Sequence, residues 1–254
     1  MRDFVNKAAA VVAAFTLAIT FVAAGFAVCA ALPQTTEMLA NAFSGMDNPA
    51  TPFSHDDLVQ AAVVTRDYTV GSNDREAVFA LLHDINASAN TRYATADDAT
   101  LAAAPDVYTL DAEALSHLDD VYRVVVIARA VLIGVAVLAA VACVFVALRV
   151  GARKLGGVLV AAGAGVLIVF ALLAAWVLVD FNGFFAAFHS LFFADGTWTF
   201  SYESLLITMY PPAFWMGMGG VWLATTAGLS ILALVIGWRL RRRTVGERAV
   251  LRQS

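Results

Sequence analysis

The chain has 254 residues, of which 61% are hydrophobic and only 14% are charged. That composition excludes an ordinary soluble domain and predicts an integral membrane protein. Its two cysteines both fall inside long apolar runs, which argues against a disulfide framework.

Four apolar runs reach the length of about 20 residues that a hydrocarbon core requires. They predict an all-α integral membrane protein with four transmembrane helices and an acidic, mostly helical extracytoplasmic domain between the first and second. The first run is longer than the roughly 7 to 15 residues of a signal-peptide core, so we expect it to be retained. The predicted order is a first transmembrane helix (1–32), the extracytoplasmic domain (33–123), a second transmembrane helix (124–148), a cytoplasmic turn (149–154), a third transmembrane helix (155–179), an aromatic extracytoplasmic or interfacial segment (180–213), a fourth transmembrane helix (214–238) and a basic cytoplasmic tail (239–254).

Lysine and arginine predict the orientation, because they favour the cytoplasmic side of short loops. Eleven of the sixteen basic residues lie before the first span, in the turn after the second, or after the fourth. Both termini are therefore expected in the cytoplasm. We interpret the basic tail as an anchor to lipid headgroups, with nucleic-acid binding as the weaker alternative.

The predicted external domain is strongly acidic. Residues 33–122 carry fifteen of the twenty acidic residues and only three basic ones, a net charge of −12. Such a surface is a poor nucleic-acid binder, so we expect no nucleic-acid partner. The domain is expected to begin with a loop, because residues 33–52 are polar and contain several prolines and a glycine.

Capping patterns predict two helices in this domain. Ser54 with Asp57 three residues later predicts a helix from about His55 to Tyr68. Asn73 with Glu76 predicts a second that ends near Ile85. The buried faces are expected at Leu58, Ala61, Ala62 and Tyr68, and at Val78, Leu81 and Leu82. The polar, alanine-rich stretch 86–105 is expected to be a surface loop.

From Asp111 the pattern predicts a helix that continues without interruption into the second span. On this helix Glu113 and Asp120 lie on the same face as His117, whereas Asp119 points elsewhere. A neighbouring carboxylate is expected to orient the imidazole and to raise its pKa. The alternative is a helix start carrying ordinary solvated charge.

His189 lies among phenylalanines, in a stretch typical of a membrane interface. His117 precedes the second span by seven residues, about 10 Å of helix, so both histidines can reach the same level. Arg129, the one charge inside a span, is either functional or extends to the headgroups. His55 and His83 are interpreted as surface residues, and no metal-site spacing is present.

Two motifs then resemble those of the bacterial lipoprotein intramolecular transacylases, the Lit family of multi-pass membrane enzymes. The first is His117 with Asp120 and Val121, and the second has the form HxxFFxxxxWxF from His189 to Phe200. After them come Leu206, Ile207, Pro211, Phe214 and Trp215. The chain departs from the family pattern in Leu118, where methionine is expected, and in Pro212, where a polar or acidic residue is common.

The resemblance implies a reaction. One glycerol-linked acyl chain of a diacylglyceryl-modified lipoprotein moves to the α-amine of its N-terminal cysteine, giving an N-acyl, S-monoacylglyceryl product on the outer face of the cytoplasmic membrane. The expected partners are such lipoproteins and membrane lipids, and no cofactor is expected. The expected roles are acid–base catalysis by His117 and His189, support from Asp120, Glu113, Trp198 and Tyr210, and substrate binding by Phe192, Phe193, Trp215 and Arg129.

The residues leave some choices open. Either histidine could be the base, and the oxyanion donor could be Trp198 N–H, Tyr210 O–H or a backbone amide. The alternative function is a non-catalytic assembly factor or sensor with an acidic external domain. A separation of more than about 10 Å between His117 and His189 would exclude shared acid–base catalysis on geometry.

Overall fold

The computed structural model describes the backbone of residues 1–250 and the side chains of residues 1–242. Within that range every regular element is an α-helix, and no strand occurs. The helices are α1 (Arg2–Ala31), α2 (Pro33–Phe43), α3 (His55–Val70), α4 (Arg75–Ser88), α5 (Asp98–Ala102), α6 (Ala112–Arg149), α7 (Ala152–Val179), α8 (Phe181–His189), α9 (Leu205–Met209) and α10 (Pro212–Val250). Among these, α1, α6, α7 and α10 are long and apolar enough to cross a membrane. Over the described residues the predicted all-α fold with four helices able to span a membrane is confirmed, and the extracytoplasmic placement of the acidic domain stays a prediction. Of the predicted basic tail, Arg252 lies outside the described residues.

The chain divides into two compact units. The first comprises residues 1–26, 128–181 and the chain from residue 222 onward, and the second comprises residues 27–127 and 182–221. Both candidate histidines, His117 and His189, belong to the second unit.

Glycines bring α7 and α10 close together in the first unit. A Cβ on Gly156 would lie 2.6 Å from the carbonyl oxygen of Gly237, and a Cβ on Gly237 would lie 2.6 Å from that of Gly156. A Cβ on Gly163 would likewise lie 2.6 Å from the carbonyl oxygen of Ser230. The two backbones therefore touch at positions where only glycine fits, as small residues allow at helix interfaces in membranes.

Helix α3 lies at the centre of the second unit and packs against α2, α4 and α9. It begins with the predicted capping box, in which Ser54 and Asp57 each bond the other's backbone amide. Both predicted apolar faces are buried, which confirms the two helices of this region. The second helix starts one residue later than predicted, because Asp74 and not Asn73 accepts hydrogen bonds from the first amides of α4.

Two stretches that were expected to be loops contain helices. Residues 33–43 form α2, since Pro33 occupies the first turn, where its missing N–H costs nothing, and Leu39 and Ala40 are buried. Within the predicted loop 86–105, α5 forms around Leu101, whose side chain is fully buried. In both cases burial of a few apolar side chains outweighs a polar local composition.

Helix α6 runs without interruption from Ala112 to Arg149, as predicted. Asp111 caps its start by accepting a hydrogen bond of 2.8 Å from the amide of Ala114. Helix α8 occupies the phenylalanine-rich part of the aromatic segment and ends at His189. These two helices supply the two histidines of the candidate site.

Candidate active site

His117 is a buried histidine near the start of α6, with only 8% of its surface exposed. Its ring packs edge-on against Phe193, with the centroids 4.8 Å apart, and against Phe200 at 5.6 Å. Its Nδ1 is buried and has no hydrogen-bond partner within the described part of the chain. A buried polar nitrogen without a partner is costly and marks a candidate contact for a substrate.

His189, the last residue of α8, is held by its own helix. Its Nδ1 lies 2.9 Å from the carbonyl oxygen of Phe185, one turn earlier. Because a carbonyl oxygen can only accept, Nδ1 carries the proton, and in the neutral ring Nε2 carries the free lone pair. The ring packs in a tilted arrangement against Phe185 and Trp198, with centroid distances of 4.0 and 4.9 Å.

The two histidines, 72 positions apart in the chain, meet in this structure. Their ring centroids are 6.1 Å apart, and the ring planes differ by 28°. Phe193 touches both rings, at 4.8 Å from His117 and 5.8 Å from His189. The separation is well below the limit of about 10 Å that would exclude joint action on one substrate.

Burial keeps both imidazoles uncharged at neutral pH. It lowers the pKa of His117 to about 4, assisted by the neighbouring charge of His189 and opposed by the carboxylate of Asp120. Burial also lowers the pKa of His189, against the opposing effect of the Phe185 carbonyl. Asp120 therefore acts in the expected direction, but desolvation of the ring outweighs its charge, and the net pKa of His117 is lowered.

Neither predicted orienting carboxylate forms a hydrogen bond with His117 among the described residues. Asp120 pairs instead with Arg123, one turn later, at 2.7 Å. Glu113 is exposed. Asp120 therefore acts on His117 through its charge, and an orienting role for Glu113 stays a prediction. Asp119 points away from His117, as expected, and contacts Tyr68.

Trp198 and Tyr210, the two predicted oxyanion donors, are in different situations. The indole N–H of Trp198 is buried and has no partner in the described range, and its ring lies against His189. The hydroxyl of Tyr210 donates to the backbone carbonyl of Ala62, and Tyr210 is buried. The Trp198 N–H is therefore available to donate to a substrate, whereas the Tyr210 hydroxyl already donates to the carbonyl of Ala62 in α3.

Aromatic side chains surround the histidines. Of the three predicted substrate-binding aromatics, Phe193 touches both histidines, Phe192 packs on Phe193 at 6.2 Å, and Trp215 packs on Phe185 at 6.2 Å. Arg129 lies in the other unit, and its role in substrate binding stays a prediction.

Three phenylalanines that contact the histidines were missed as site residues. The sequence holds signals for each of them. Phe185 is one helical turn before His189, Phe188 precedes it directly, and Phe200 closes the HxxFFxxxxWxF motif. No group of three or more His, Cys, Asp or Glu side chains placed to hold a metal ion occurs among the described residues.

Comparison with known proteins identifies the family. The family model for the lipoprotein intramolecular transacylase Lit matches residues 66–215, more than half of the chain. The structure of the membrane-integral lipoprotein intramolecular transacylase Lit from Bacillus cereus is similar, with a TM-score of 0.72 and 16% identity over 95% of this chain and 98% of that chain.

Two variants of the Bacillus cereus protein, in which one histidine is replaced by arginine or by alanine, are also similar in structure. Both have a TM-score of 0.67, with 16% identity over 97% of this chain for the arginine variant and 15% over 96% for the alanine variant. In both comparisons the matched region covers 96% of the Bacillus cereus chain. No curated protein matches in sequence. Because the family model matches more than half of its residues, the chain belongs to the lipoprotein intramolecular transacylase Lit family.

Proposed function

We propose that this protein is a membrane acyltransferase that acts on bacterial lipoproteins whose N-terminal cysteine carries a diacylglyceryl group. It moves one O-linked acyl chain to the cysteine's own α-amine, which leaves an N-acyl, S-monoacylglyceryl lipoprotein. The observation that carries the proposal is a pair of neutral histidines, His117 buried and His189 half-buried, whose rings lie 6.1 Å apart among aromatic side chains. Membership in the family supplies the substrate class.

The transfer needs no nucleophile from the protein, because the substrate's amine attacks the ester. One N–C bond forms, one C–O bond breaks, and the proton lost by the amine goes to the departing glycerol oxygen. The serines beside the histidines fit this scheme, since Ser116 is exposed and the hydroxyl of Ser190 donates to the carbonyl of Ala187. Holding amine and ester together supplies a large part of the rate.

His189 is the better base. The Phe185 carbonyl fixes its proton on Nδ1 and leaves the Nε2 lone pair available. Because its pKa is lowered by burial, the ring is neutral at pH 7 and can take the proton of the attacking amine. The imidazolium formed in this step then protonates the glycerol oxygen as it leaves.

His117 cannot start the reaction as a charged acid, since its pKa of about 4 keeps it neutral. We assign it to a hydrogen bond with the reacting ester through its unpartnered Nδ1. The indole N–H of Trp198, also unpartnered, is assigned to the oxyanion that develops on the carbonyl. Phe192, Phe193 and Trp215 are assigned to the walls that contact the acyl chains.

The alternative, a non-catalytic assembly factor or sensor, explains the four spans equally well. It gives no reason for two buried polar nitrogens without partners, His117 Nδ1 and Trp198 Nε1, in one aromatic cluster. Each such unsatisfied group destabilises the folded protein by about 1 to 3 kcal/mol, and a substrate that forms a hydrogen bond with it removes this destabilisation. The enzyme is therefore the better-supported function.

The test is conversion of a co-expressed lipoprotein, followed by mass spectrometry of its N-terminal peptide. His117→Ala and His189→Ala are expected to lower formation of the N-acyl product by about 10²-fold or more, because each removes a group that handles a proton or the reacting ester. His55→Ala, which changes an exposed histidine of the same unit, is the matched control and should convert normally.

Membrane abundance of each variant must be measured alongside, because loss of protein mimics loss of activity. Normal conversion by an inserted His117→Ala or His189→Ala variant would remove that histidine from the mechanism. Absence of conversion by the unaltered protein would overturn the proposed function itself.

A further inference from the structure

The face of α6 opposite His117 carries a second set of polar contacts, centred on Asp119. At about 100° of rotation per residue, Asp119 lies about 200° around the helix axis from His117. The first turns of α6 are therefore in contact on two sides. One side holds the histidine against Phe193 and Phe200, and the other holds the carboxylate.

Three donors from α3, α4 and the turn between them converge on the Asp119 carboxylate. Tyr68 donates its hydroxyl to Oδ1, the side-chain amide of Asn73 lies 3.3 Å from the same oxygen, and Arg75 lies 2.8 Å from Oδ2. Arg75 also reaches the hydroxyl of Tyr68 at 3.4 Å. We call these four residues the Asp119 network.

The network is more buried on its Tyr68 and Asp119 side than an ordinary surface ion pair, whereas the Arg75 side chain is 52% exposed. Tyr68 is only 2% exposed, and the Asp119 side chain is 25% exposed. Burial acts to raise the pKa of Asp119, but the hydrogen bonds from Tyr68 and Asn73 and the charge of Arg75 outweigh it and hold the pKa below its usual value. Removing the carboxylate would leave the Tyr68 hydroxyl without its acceptor.

His117 has little else of its own to fix its position. No hydrogen bond ties its Nδ1 to the described residues, and the carboxylates on its face, Glu113 and Asp120, do not bond to it. Its location depends on where the start of α6 is held. Apart from apolar packing, Asp119 supplies the polar contacts that bind this turn of α6 to α3 and α4.

We infer that Asp119 is a positioning residue. Its network with Tyr68, Asn73 and Arg75 fixes the rotation of the first turns of α6, and so holds the His117 ring in the aromatic enclosure beside His189. The inference rests on the proposed function only in the experiment that measures lipoprotein conversion. The position of the ring can be measured without it.

The test compares Asp119→Ala and Tyr68→Phe with the unaltered protein in two assays. The first is lipoprotein conversion, and the second is the NMR spectrum of the ¹⁵N-labelled histidine rings as a function of pH. Asp119→Ala is expected to lower conversion by 10-fold or more and to move the His117 pKa upward toward 6.5, because the ring becomes more hydrated. Tyr68→Phe, which removes one hydroxyl, should act in the same direction with a smaller effect.

The matched control is Asp98→Ala, which removes another close side-chain contact of this unit, 2.6 Å from His83 Nε2, and leaves α6 untouched. It is expected to alter the His83 signal, but neither lipoprotein conversion nor the His117 signals. If the Asp119→Ala variant does not insert into the membrane, the His117 signals of the Tyr68→Phe variant serve as the test. Unchanged His117 signals in an inserted variant would overturn the inference, whether or not conversion falls. An unaltered protein with no conversion would refute the proposed function and leave the NMR test of positioning intact.

Discussion

In the proposed mechanism, two neutral imidazoles determine the pH range in which the site works. Burial lowers the pKa of His117 to about 4 and also lowers that of His189, so both rings are unprotonated at neutral pH. The substrate's α-amine has an ordinary pKa of about 8. Between those values the group that changes charge is the amine of the substrate and not a histidine of the protein.

The rate of conversion at low substrate concentration is therefore expected to rise with pH up to about 8, as the amine loses its proton, and then to level off. A steeper fall should appear only when the pH drops below the lowered pKa values of the histidines, where the base itself becomes protonated. The measurement is the initial rate in proteoliposomes from pH 4 to 9. A bend close to pH 6.5 would show that a histidine titrates at its ordinary pKa and would contradict the lowered pKa values.

Trp198 allows a test of a single donor. Trp198→Phe keeps an aromatic ring against His189 and removes the indole N–H. It is expected to lower kcat by about 10²-fold with little change in KM, because an oxyanion donor acts mainly in the transition state. Trp238→Phe changes an exposed tryptophan near the end of the fourth span and serves as control. Equal kcat in the two variants would show that the Trp198 N–H does not serve the reaction.

The site could be predicted from the sequence only in part. The motifs place His117 near the start of α6 and His189 in an aromatic stretch, and their spacing leads to the family. The contact between the two rings, which are 72 positions apart in the chain, depends on tertiary packing. The burial that lowers the pKa of His117, against expectation, depends on it too. Likewise, the choice of Trp198 over Tyr210 follows from a hydrogen bond to Ala62, which lies 148 positions from Tyr210 in the chain.

At the scale of single helices, the elements with strong local signals were predictable. The capping box at Ser54 and the absence of any breaker after Asp111 predicted α3 and the uninterrupted α6. Helix α2 differs from the prediction because Pro33 and its polar neighbours are typical of a loop, although proline is also well suited to a first helical turn. Helix α5 has only five residues and depends on burial of Leu101, which no local pattern reveals.

For the whole molecule, the distribution of basic residues predicts the orientation. With eleven of sixteen lysines and arginines before the first span, in the turn after the second and after the fourth, both termini are proposed to lie in the cytoplasm. The second unit, with both histidines, is then proposed to lie on the outer face of the membrane.

Cysteine labelling tests the orientation. Ala99→Cys on α5 and Ala152→Cys at the start of α7 both introduce a thiol at an exposed position. In intact cells a membrane-impermeant maleimide is expected to label the first and to reach the second only after permeabilisation. The native cysteines lie inside spans, and the unaltered protein shows their background. The reverse pattern of labelling would mean that the chain is inserted the other way.

The contact between α7 and α10 has a mechanical consequence. Where Gly156 meets Gly237 and Gly163 meets Ser230, the backbones are so close that even a methyl group would collide. Rotation of either helix about its axis, by even one residue position, would bring a larger side chain against the opposing backbone. The two helices are therefore expected to move as one stiff pair, and any movement that admits a lipid-anchored substrate has to come from elsewhere in the protein.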